Sequence, residues 1–265
     1  MKKQRLLLIG TLPMLGFAVC YLLPLGMTGY YALVNSAFDD HFAGLSNFAY
    51  VAGNRYFRLG MENLALLGGG MILCAMLAAL LIAPLLHRHP RIAGIGMAVL
   101  LLPLLIPSAS AVSIWASVFD TRSTLAAASA RSALITLYLW KYAGVGAALL
   151  YTALQRIPQT VTDAAALDGA GAVRTYLAIH LPMAGEQLAG VLIFLTMFMF
   201  RCYKESYLLF GDYPSSQVYM LQHYMNHQYV KMNFQYVAAC AVLLVIFALT
   251  LYGIGFLLMK RRRLA

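Results

Sequence analysis

Between two long apolar runs the chain carries Thr162 to Gly171, TDAAALDGAG, in which two carboxylates flank three consecutive alanines and an Asp-Gly step follows. No histidine, serine-histidine pair or third carboxylate accompanies them at catalytic or metal-ligand spacing. The residues suit either a solvated turn or a surface that seats in a partner. Elsewhere chemistry-bearing groups are sparse. His87 and His89 flank Arg88 without further ligands, and His223 and His227 stand four apart without the glutamate of an HExxH pattern, so no metal site is expected. Lys141 lies inside the run WKYAGVG, where snorkelling to the outer interface is the simpler reading and a place on a polar route the other. Arg201, Lys204 and Glu205 follow the next apolar run.

The elements that must position these residues are membrane spans. Hydrophobic residues make up 62% of the 265 and charged residues 11%, with a mean hydropathy of +0.75. That balance is far more apolar than a soluble domain and excludes one. Apolar segments at 6–37, 62–86, 92–119, 133–154, 184–200 and 236–259 are each long enough, or nearly so, to cross about 30 Å of hydrocarbon. An all-α integral membrane protein with six transmembrane helices is expected, as a single domain over 1–265. The run after MKKQR is longer than a signal-peptide core, so it reads as a retained first span, with Pro13 and Pro24 as possible kinks. Pro103 and Pro107, in LLPLLIPSAS, should bend or unwind the third.

Charge sets the orientation. Lys2, Lys3, Arg5, Arg88, Arg91, Arg156, Arg174, Lys260, Arg261, Arg262 and Arg263 fall on one side. Arg55, Arg58, Arg122, Arg131, Arg201, Lys204 and Lys231 are spread over longer connections on the other. The positive-inside rule then puts both termini, and the connection 155–183, in the cytoplasm. The formal charge of +10 serves topology, since no basic stripe with interleaved aromatics points to nucleic acid. Cys20, Cys74, Cys202 and Cys240 form no CxxC pair and read as packing residues. No P-loop, GxSxG or HExxH pattern occurs, so an enzyme is not expected, and any ATP must be bound by another subunit.

Within 155–183, Pro158 suits a helix start and Thr162 or Asp163 could cap or charge its first turn. Gly169 breaks the pattern. Val173, Tyr176, Leu177 and Leu181 then resume an apolar face, and Pro182 closes it. The expectation is helix, glycine bend, helix, with Ala164, Ala165 and Ala166 permitting close approach.

The spacing Asp163-Ala164-Ala165-x-x-Asp168-Gly169-Ala170 and, nine residues on, Ile179-x-Leu181-Pro182 resembles the EAA motif of bacterial ABC importer permeases. Asp163 stands where that family usually has Glu, one methylene shorter, and MAGEQ follows where another proline is common. GLSNFAYV (44–51) with MENLALL, then PSASAVSIWASVFD and LITLYLWKYAGVGAALLYTALQRIP with Trp115 and Trp140, resemble the sugar-type class, which includes maltose and glycerol-phosphate permeases. The resemblance runs from about residue 40 to 265. It implies a type I ABC importer permease fold in the bacterial cell membrane, importing a carbohydrate. It also implies three partners: a cytoplasmic ABC ATPase dimer that holds ATP and Mg, a second permease that is a different chain, and an extracytoplasmic solute-binding protein. No cofactor is bound by this chain.

In that family the motif forms helices that dock on the ATPase, a role the resemblance gives to Asp163, Ala164, Ala165, Asp168, Gly169, Ala170, Ile179, Leu181 and Pro182. Trp140, Lys141, Arg201, Lys204, Glu205 and Tyr207 become candidates for the substrate pathway. Seven tyrosines between Tyr203 and Tyr236 suit sugar stacking or the membrane interface equally. The rival class is an ion-gradient-driven secondary transporter or channel.

Overall fold

A computed structural model describes residues 11, 13–36, 39–118 and 126–264. Lys2, Lys3, Arg5 and Arg122, with the start of the expected first span, lie outside them. Among the described residues five helices are long and apolar enough to cross a membrane, and a sharply bent pair, counted as one broken span, makes six.

The chain divides into two compact units. The first comprises Met1–Arg58 and Tyr224–Leu251 and carries the first span, Pro13–Tyr31, and the sixth, Phe234–Gly253. The first span is shorter than the expected 6–37. It ends at Tyr31, and a hairpin of β1 (Val34–Ser36) and β2 (Asp39–Phe42) follows, so the chain is not wholly helical. Buried Asn47 holds the reversal: its amide donates to the carbonyls of Ala32 (3.1 Å), at the helix end, and Val34 (2.7 Å), at the start of β1. Inside the first span, Pro24 follows a widened turn at Ala18–Leu22, where Leu23 N–H reaches Ala18. The proline is accommodated by that bulge.

The second unit, Leu59–His223 with Tyr252–Ala265, holds the intervening spans. The second span runs Arg55–Arg88, longer at both ends than 62–86. Leu67, Met71, Ala75, Ala79 and Ala83 recur every four residues and are buried, while Leu66, Leu73, Leu77, Leu81 and Leu85 face outward. That stripe of shrinking side chains lets neighbouring helices approach toward one end. The fourth span, Ala130–Leu154, is the most enclosed and packs against both the third and the fifth. Tyr138 donates to the Leu195 carbonyl of the fifth, and Tyr142 stacks on Phe198 at 4.5 Å. A Cβ added at Gly144 would collide with the Leu100 carbonyl of the third span, so glycine sets that crossing.

The third crossing breaks between Pro90–Leu105 and Ser108–Val118, which meet at 95°. Ile106 precedes Pro107 and is extended (φ −73°, ψ 124°), the conformation that a following proline favours. Pro103 stays inside the first helix, so Pro107 alone makes the corner. The second piece, 11 residues and about 16 Å long, cannot span the hydrocarbon. Its Ala111 and Val112 pack with Leu137, Trp115 and Trp140.

Candidate functional site

Two regions of the second unit carry polar side chains in defined geometry. The first is the connection after the fourth span. Gln159–Leu167 is a helix whose N-cap position is Pro158, with no side-chain cap, so neither Thr162 nor Asp163 caps it. The Gln159 amide instead donates to Asp163 at 3.1 Å. The helix ends in a double closure, with Ala170 N–H reaching Ala165 and Gly169 N–H reaching Ala166. Gly169, at φ +75°, takes the left-handed conformation this closure requires. The bend expected at Gly169 therefore has a specific form.

A second helical stretch runs from Ala172 through a widened turn at Tyr176–His180 to Met183. Pro182 does not close it. Pro182 lies within a continuous helical backbone directly after the widened turn, as Pro24 does in the first span, and the stretch ends one residue later at Met183. The apolar face expected of Val173, Tyr176, Leu177 and Leu181 is divided, because the widened turn shifts the register. Val173 and Leu177 are exposed, whereas Tyr176 and Leu181 are half-buried.

Three contacts hold the segment. The Thr162 hydroxyl meets His180 Nε2 at 3.0 Å, tying one helix to the other. The ring of His87, at the end of the second span, stands edge-on to His180 with centroids 6.2 Å apart. The Tyr176 hydroxyl donates to the Leu80 carbonyl at 2.8 Å. Burial, then the His87 charge, hold the His180 imidazole below its usual value, and burial pushes the Tyr176 phenol up. Both stay neutral near pH 7.

What remains outward is two carboxylates, the Arg174 guanidinium and apolar side chains. Asp163, Ala164, Asp168, Gly169 and Pro182 are exposed, Ala170 and Ile179 half-buried, and Ala165 buried. Leu167 is 91% exposed and Val173 72%.

The second region lies where the fourth and fifth spans meet the broken third. Lys141 does not snorkel. It is 4% exposed and pairs with Glu205, 3% exposed, at 2.9 Å. Ser108, first residue after the 95° corner, donates to Glu205 at 2.8 Å. Glu205 Oε2 has no hydrogen-bond partner among the described residues. The fifth span reaches Phe210 instead of stopping near 200, which carries Glu205 into the packed region. Arg201, Lys204 and Tyr207 lie on the same helices and are exposed, and Trp140 tilts against Trp115 at 4.7 Å.

The tyrosines from 203 to 236 form no single surface, since Tyr219 and Tyr224 are buried while Tyr213 is 81% exposed. His223 is buried too, and its Nδ1 accepts the Met220 N–H at a helix start. Nothing in local spacing announced Ser108, His180 or Tyr176 as partners. Pro84, inside the second span, was the one available signal that a carbonyl there needed a donor from elsewhere.

Comparison with known proteins adds to this geometry. The chain is 28% identical over 222 residues to the xylose/arabinose import permease protein XacH of Haloferax volcanii, covering 77% of this chain and 70% of that one. It is 23% identical over 279 residues to the diacetylchitobiose uptake system permease protein NgcF of Streptomyces coelicolor, covering 92% and 79%. Its fold matches a chain in the crystal structure of a bacterial ABC transporter involved in the import of the acidic polysaccharide alginate. The TM-score is 0.82 at 17% identity, over 98% of this chain and 96% of that one. The family model described as binding-protein-dependent transport system inner membrane component matches residues 71–264, which include both polar regions. With six crossings and that match over most of its length, the chain belongs to the family of binding-protein-dependent transport system inner membrane components.

Proposed function

We propose that this chain is a translocation subunit of an ATP-driven carbohydrate importer, coupled to a cytoplasmic ATPase dimer through the segment 159–183. The observation that carries the reading is that segment. It presents Asp163, Asp168, Leu167, Val173 and Leu177 outward while Tyr176 and His180 hold it to the second span. A helix pair with apolar side chains, two carboxylates near its bend and Arg174 on its second half fits a groove with apolar walls and charged rims. ATP and Mg belong to the ATPase in this reading, because this chain offers no phosphate-binding loop.

The distribution of Lys and Arg supports cytoplasmic termini and a cytoplasmic coupling segment. A second permease, a different chain, completes the pathway, and an extracytoplasmic solute-binding protein delivers the substrate. A similar fold occurs in the crystal structure of a bacterial alginate ABC transporter in complex with an alginate pentasaccharide-bound periplasmic protein, which supports that partner. Carbohydrate as the substrate class is supported by the pentose, chitobiose and alginate transporters that the chain resembles.

For the pathway, Arg201, Lys204, Tyr207 and Trp140 are the groups available to a solute. Lys141 and Glu205 are committed to one another and shape the route from behind it. Affinity purification of the full chain from its native membrane is expected to bring down an ABC ATPase and a second permease. The ATPase of that complex should rise with one class of sugar and its binding protein. Recovery without any ATPase, or stimulation by no carbohydrate, would overturn the reading.

A further inference from the structure

The second span carries Pro84 within its helix. In an α-helix the N–H of residue 84 would bond the carbonyl of Leu80, and proline has no N–H. Its ring also pushes that carbonyl off the helix axis. The open acceptor lies about 12 Å from the end of the span at Arg88. The group that fills it is the Tyr176 hydroxyl, 96 residues away, at 2.8 Å.

Tyr176 opens the widened turn of the coupling segment, and His180 closes it. Four residues apart, they share one face, and on the second span Leu80 and His87, seven apart, share another. The two faces meet at both points: Tyr176 at Leu80 and His180 against His87. A segment held at two points along a helix cannot swivel about one of them.

We infer that Tyr176 is a positioning residue for transport: by donating to the carbonyl that Pro84 leaves open, it fastens the coupling segment to the second span, which then moves with it. The inference rests on the coupling role proposed above for that segment. Pro84 makes the joint selective, because an ordinary helix would already occupy its carbonyl and offer a tyrosine far less. Burial keeps the phenol protonated, so the donor persists across the physiological range.

The test is a double-mutant cycle of Y176F and P84A, read in two ways. Hydrogen exchange on the purified full chain follows the amides of 172–183 and needs no transport. Y176F should speed their exchange about threefold to tenfold, the order of one hydrogen bond. In the P84A background, where Leu80 regains a helical partner, Y176F should change exchange by less than about twofold. The second reading is substrate moved per ATP hydrolysed by the assembled complex in liposomes. Y176F should lower that ratio by a similar factor with hydrolysis retained, and again much less in P84A. Unchanged exchange in Y176F, or an equal effect of Y176F in both backgrounds, overturns the joint itself. Altered exchange with an unaltered transport ratio overturns the positioning role. Absence of ATP-dependent uptake in the wild-type complex would instead refute the proposed function and leave the exchange result standing.

Discussion

A lysine and a glutamate 2.9 Å apart, each almost fully buried at membrane depth, are costly to desolvate and costlier to separate. Lys141→Met leaves Glu205 as an unpaired buried charge and is expected to destabilise the chain by about 3–5 kcal/mol, read by thermal unfolding in detergent. The double substitution Lys141→Met with Glu205→Leu should recover most of that loss. A second expectation concerns His180, packed against Thr162 and His87. Its folded value lies below the ordinary 6.5, so the unfolded segment takes up a proton first as pH falls. The stability of 159–183 should be flat above about pH 6.5 and decline below it, and His180→Gln should abolish the decline. Hydrogen exchange at about pH 7.5 and about pH 5.5 measures this. Neither arrangement was legible from residue types. Lys141 and Glu205 are 64 positions apart, and a lone lysine in an apolar run looks the same whether it snorkels or pairs.

Helices and their joints were more readable, because period and punctuation are local. Gly169 is required in the left-handed region, and Gly169→Ala should cost about 1–2 kcal/mol and loosen the end of 159–167. Gly144→Ala drives a Cβ into the Leu100 carbonyl and should part the third and fourth spans at about 1–3 kcal/mol. Thermal unfolding checks both, and Gly69→Ala, which sits mid-helix and meets nothing within 4 Å, is the control that should not destabilise. The corner at Pro107 followed from proline chemistry, though its angle did not. What local pattern missed was tertiary: Asn47 ending the first helix, and the fifth span running on to Phe210 once Glu205 found its partners.

Taken together, the chain is a family permease whose charged and apolar segment is closed on itself by Thr162 and His180 and joined to the second span at two points, Tyr176 on Leu80 and His180 on His87. The spacing of Asp163, Gly169 and Ile179 to Pro182 suggested a docking role only through its resemblance to the EAA motif, since the residue types alone suit a solvated turn equally. The pathway was less legible, since it is lined by residues from several spans whose facing depends on packing. Asp163→Lys reverses a charge on the exposed face without touching Thr162, His180 or Tyr176, so it should leave folding intact. The decisive measurement is uptake of labelled carbohydrate by the complete complex in sealed liposomes, with the binding protein outside and ATP inside. Uptake that requires internal ATP, persists without any ion gradient and falls at least about tenfold in Asp163→Lys is predicted. Uptake driven by an ion gradient alone after the ATPase is removed, or unchanged coupling in Asp163→Lys, would contradict it.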